Sequence, residues 1–90
     1  MSLELIQLAK KFADGGLSAN AFADPYIAKW SAERDANKLK DDNANVSECA
    51  STIFILADCY NPDLDRRKSE LDEAGLRAEV KATLSKFKLA

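Results

Sequence analysis

Ninety residues make a single domain, since a second would leave neither part a workable core. Apolar residues are 47% of the chain and charged residues 31%, an ordinary globular balance, and the longest uncharged apolar run (53–57) falls far short of the roughly 20 residues of a membrane span. There is no histidine, which removes the commonest general base and metal ligand, and no Gly-rich phosphate loop, CxxC pair or nucleophile elbow points to chemistry.

Hydrophobic periodicity predicts four helices and no strand. The first covers 3–13, with Leu5, Leu8, Ala9 and Phe12 on one stripe. Lys10 and Lys11 suit its negative dipole end, and Asp14-Gly15-Gly16 stops it, glycine readily taking the left-handed C-cap conformation. The second covers 18–38, with Ser18 as N-cap and Phe22, Tyr26 or Ile27, and Trp30 on its apolar face. Pro25 leaves two readings open: a kink within one helix, or a restart with Asp24 as N-cap and Pro25 at the first helical position. A polar loop is expected over 39–45.

The third helix covers 46–60 and has the strongest period, from Val46, Cys49, Ala50, Ile53, Phe54, Ala57 and Tyr60. Asn61-Pro62-Asp63 ends it, because proline disfavours the helical conformation in the residue before it. The fourth covers 71–89, with Leu76, Val80, Leu84 and Phe87 as its stripe and Ser69 or Asp72 as its cap. Four amphipathic helices with short links predict an all-α, antiparallel four-helix bundle in one domain spanning 1–90. Cys49 and Cys59 on one helix would be about 15 Å apart along its axis, too far for a disulfide, so both are expected as buried thiols. The N-terminus lacks a basic start, an apolar core and a cleavage site, so it does not read as a signal peptide, and a cytoplasmic location is expected.

The net charge of −2 is unevenly spread. Residues 1–40 carry a net +1 and residues 74–90 a net +3, whereas residues 41–73 hold nine acids against three bases, a net −6. One reading is solvated loop surface, with Asp72 and Glu73 placed favourably for the dipole of the fourth helix. The other is an acidic face for a basic partner, since opposite potentials speed association and fix register. Direct nucleic-acid binding is not expected: the one basic cluster, Arg66-Arg67-Lys68, is hemmed in by Asp63, Asp65, Glu70 and Asp72. Asp63 and Asp65 are too few for a calcium loop, so no metal or cofactor is expected. Trp30 reads as core in preference to a partner anchor, while Tyr60 sits where its hydroxyl reaches solvent or a partner. An acyl-carrier role would need a serine in an Asp-Ser-Leu setting, which does not occur.

The segments Leu56-Ala-Asp-Cys-Tyr-Asn-Pro-Asp-Leu-Asp-Arg66, Glu70-Leu-Asp-Glu-Ala-Gly-Leu-Arg-Ala-Glu-Val80 and Ser85-Lys-Phe-Lys-Leu89 resemble the colicin D immunity protein family, as do Leu8-Ala-Lys and Leu17-Ser-Ala before Phe22. The family pattern is an aromatic-x-Pro-Asp-x-Asp-Arg turn, an acidic stretch, a Gly-Leu-x-x-Glu-Val helix start and a Lys-Phe-Lys-Leu ending; Pro25 and 36–45 depart from it. The resemblance implies a four-helix bundle that is not an enzyme. Its implied partner is the C-terminal domain of a cognate tRNase toxin, whose basic cleft it fills with an acidic surface in place of tRNA, with no membrane or small-molecule substrate involved. Carried onto this sequence, the toxin-binding residues it implies are Asp58, Asp63 and Asp65, with Glu70, Asp72 and Glu73 behind; Tyr60 joins the candidate set from its own position beside the acidic loop. The alternative is a small helical adaptor or antitoxin with an unrelated partner.

Overall fold

Helix α1, Ser2–Ala13, turns Leu5, Ile6, Ala9 and Phe12 inward and leaves Leu8 half-buried at the rim. Its C-terminus closes as the glycine pair predicts. Gly15 takes φ +87°, its N–H donates to the Phe12 carbonyl, and the Gly16 N–H donates to the Lys11 carbonyl at 2.8 Å. This crossed pair satisfies carbonyls that a helix end otherwise leaves open. The molecule, a computed structural model, is described here over residues 2–35, 44–63, 68 and 70–89.

Helix α2, Ala19–Asp35, begins on Ser18, whose Oγ accepts the Ala21 N–H at 3.2 Å. It runs unbroken through Pro25, so the restart at Asp24 does not occur. Pro25 is tolerated because it lies on the exposed side: the carbonyl it cannot serve, four residues back at Ala21, is also on an exposed residue within reach of water. The predicted end at residue 38 and most of the predicted loop lie outside the described residues. Helix α3, Ala44–Asp58, starts within that predicted loop, and Asn45 Nδ2 reaches the Phe87 carbonyl at 2.8 Å.

Tyr60 is not helical. It forms a parallel bridge with Leu71, in which the Leu71 N–H donates to the Cys59 carbonyl and the Asn61 N–H to the Leu71 carbonyl, both at 2.8 Å. That latch takes Leu71 out of the predicted fourth helix, and α4 spans Glu73–Lys86 with Asp72 as N-cap. At its other end Lys88 takes φ 59°, and the N–H groups of Lys88 and Leu89 turn back to Ser85 and Leu84. A left-handed turn on a non-glycine residue therefore ends the helix short of residue 89.

The four helices form a bundle in which each packs on the other three. Phe12 and Phe22 stack at 4.4 Å between ring centres, and Tyr26 lies 5.2 Å from Phe22. The fully buried Tyr26 hydroxyl donates to the Ala50 carbonyl at 2.6 Å, and burial, reinforced by Cys49 and Glu33, pushes its ionisation far above the ordinary tyrosine range. Leu76, Val80 and Leu84 of α4 and Val46, Cys49, Ala50, Ile53 and Ala57 of α3 complete the core. Arg77 ties α4 to the α1–α2 link: Nε donates to the Phe12 carbonyl, Nη2 to the Leu17 carbonyl at 2.8 Å, and the guanidinium sits 4.7 Å from the Phe12 ring centre. Both cysteines are free; Cys49 is buried, its thiol pushed up to about 11, while Cys59 is half-buried, more open than predicted.

Candidate functional site

The predicted site residues gather on the stretch from the end of α3 to the head of α4, but they differ in what they touch. Asp58 closes α3 and is exposed, and among the described residues its carboxylate makes no hydrogen bond or ion pair. Two residues on, Tyr60 is half-buried and its hydroxyl donates to Asn20 Oδ1 at 2.9 Å. Partial burial, then Glu73 and Asp24, raise its ionisation above the usual value. Asp63 is exposed beyond Pro62, and its N–H donates to Asn61 Oδ1 at 2.9 Å, a side-chain-closed turn that fixes the backbone there. Asp65 lies outside the described residues.

The carboxylates further along serve the fold. Glu70 accepts from Asn61 Nδ2 at 3.2 Å, bracing the loop against the same asparagine that closes the Asp63 turn. Asp72 Oδ1 accepts the Gly75 N–H at 2.7 Å, which makes it the cap of α4 in preference to Ser69. Glu73 spans two elements: it is the first residue of α4, and its Oε1 accepts the Ala19 N–H at 2.6 Å at the start of α2. One carboxylate thus stands at the positive ends of two helix dipoles, a placement that favours its charge. Asn20, Tyr60 and Glu73 therefore form a seam joining α2, the latch and α4.

Two exposed residues not anticipated from the sequence lie on the outer face of α3. Glu48 is exposed, and among the described residues its carboxylate makes no hydrogen bond or ion pair; Ile55 is 60% exposed. The run Ile53-Phe54-Ile55-Leu56 carried a signal, since four successive residues of a helix span more than its buried side. Trp30 is half-buried against Phe54, ring centres 3.9 Å apart, with Arg34 5.2 Å above it, so it packs between α2 and α3. Two hollows among the described residues lie elsewhere: one is lined by Glu4, Gln7, Leu8, Lys11 and Lys29, where Lys29 pairs with Glu4, and one lies between the end of α1 and Lys81, Leu84 and Ser85 of α4.

A family model for bacterial self-protective colicin-like immunity matches residues 1–87. The chain belongs to that family. Colicin-like immunity proteins are inhibitors and not enzymes, and each binds a cognate toxin protein. No curated protein matches the chain. Among the described residues no helix is long and apolar enough to cross a membrane.

Proposed function

We propose that this immunity protein acts in the cytoplasm, where it binds the C-terminal domain of a cognate tRNase toxin and fills the basic active-site cleft with its acidic surface, as the colicin D immunity proteins it resembles do. The observation that carries this reading is the exposed Asp58 at the end of α3, with no internal partner among the described residues, followed directly by the braced Asn61–Asp63 turn. An RNase must attract phosphates, so its cleft is basic, and a protein presenting carboxylates to that cleft competes for the same field. A turn already held in shape loses less freedom on binding. In this reading Asp58, Tyr60 and Asp63 lead the contact, with Asp65 next to them in sequence, and Glu70, Asp72 and Glu73, whose carboxylates hold the fold, stand behind. The toxin reaches its target either as a secreted bacteriocin or by contact between neighbouring cells.

The decisive experiment is co-purification with a basic C-terminal toxin fragment, followed by titration of its tRNA cleavage. The expected result is a stable complex in which cleavage of tRNA stops at equimolar inhibitor. Asp63→Ala and Asp65→Ala are expected to weaken inhibition more than Asp41→Ala. Equal inhibition by all three would place the docking face elsewhere, and a toxin that cleaves some other substrate would end the tRNase reading.

A further inference from the structure

A helix turns 100° per residue, so Ile55, two turns after Glu48, lies within about 20° of it, and Asp58 follows one turn later on the adjoining side. Ser51 and Thr52 occupy the surface between them. Thr52 folds its hydroxyl back onto the Glu48 carbonyl at 2.8 Å, which keeps the ground beside Ile55 low. A lone exposed isoleucine is ordinary on a protein surface. This one differs in its setting: it is the exposed large hydrophobic residue among the described ones, it stands on small hydroxyl side chains, and Glu48 and Asp58, both without an internal partner there, bracket it.

We infer that this outer ridge of α3 is the docking face for the toxin domain, with Ile55 as an apolar anchor and Glu48 and Asp58 as the charges that steer and align it. The inference rests on the proposed reading of the partner as a basic enzyme, and extends the contact about 15 Å along α3 from Asp58 to Glu48. Charge decides the occupant. A second copy of this chain laid across a two-fold axis at Ile55 would set the acidic ends of one ridge against those of the other, a like-charge contact. A cationic protein surface with an apolar socket meets all three side chains favourably. In such a contact the desolvated central apolar group governs the rate of separation, and the surrounding charges govern the rate of encounter.

The test measures binding of the purified toxin domain to the full chain and to three variants: Ile55→Ser, Glu48→Gln with Asp58→Asn, and Glu79→Gln on the exposed side of α4 as control. All alter exposed side chains, and matching thermal unfolding curves verify that each folds. Ile55→Ser is expected to weaken binding by about 30-fold, mainly through faster dissociation. The double variant is expected to weaken it by about 10-fold, mainly through slower association, and Glu79→Gln to leave it unchanged. If the wild type inhibits the toxin while Ile55→Ser and the double variant bind like the control, the ridge is overturned and the proposed function stands. Failure of the wild type to bind overturns both. A wild-type dimer in sedimentation that Ile55→Ser dissociates would assign the ridge to self-association and overturn the inference.

Discussion

At the head of α4, Glu70, Asp72 and Glu73 each accept a hydrogen bond from within the protein, whereas on the outer face of α3 Glu48 and Asp58 accept none among the described residues. Both groups belong to the same acidic stretch of sequence. The difference lies in the backbone around them. Two helices start near Glu73, so unpaired N–H groups and positive dipole ends collect there and draw carboxylates in. Glu48 and Asp58 sit just past the first turn and at the end of α3, where the backbone N–H groups are bonded along the helix. Acidity is thus structural where helices begin and available to a partner where they do not.

That contrast is broken most severely at the structural end. Arg77→Ala removes two hydrogen bonds from a charged group to the Phe12 and Leu17 carbonyls and the stacking on Phe12. It is expected to cost about 3 kcal/mol in urea unfolding, with Arg77→Lys recovering only part because lysine lacks the planar fork. Asp72→Ala removes the cap of α4 and is expected to cost about 1 kcal/mol, while Asp72→Asn, which keeps an accepting oxygen, costs less. Lys88→Gly relieves the left-handed backbone at the end of α4 and is expected to stabilise by about 0.5–1 kcal/mol. Glu48→Gln and Asp58→Asn, on the other side of the comparison, are expected to move stability by no more than about 0.5 kcal/mol. Stability losses at Glu48 or Asp58 equal to that at Asp72 would erase the distinction.

The core was legible because its residues repeat at the helical period: Leu5, Phe12, Phe22, Ile53, Leu76, Val80 and Leu84 were expected inside and are. So was the stop at Gly15, which needs only a residue that tolerates positive φ. The positions that escaped local reading depend on partners far along the chain. Leu71 leaves the fourth helix because Tyr60 and Cys59 supply a latch eleven or twelve residues earlier. Glu73 binds the start of α2 at Ala19, 54 residues away, which no local pattern encodes. Pro25 was ambiguous because the direction it faces decides between a kink within one helix and a restart, and that direction is fixed by packing of Phe22 and Tyr26. At the candidate site, the acidic character was readable, but the division between capping and exposed carboxylates was not.

The most direct measurement of the account is the association rate between the toxin domain and this chain as a function of salt concentration. The account predicts a steep fall with ionic strength for the wild type, a slope clearly flattened by Glu48→Gln with Asp58→Asn, and a slope largely retained in Asp72→Asn. Identical slopes for the wild type and the Glu48→Gln, Asp58→Asn variant, with the flattening found instead in Asp72→Asn, would contradict it.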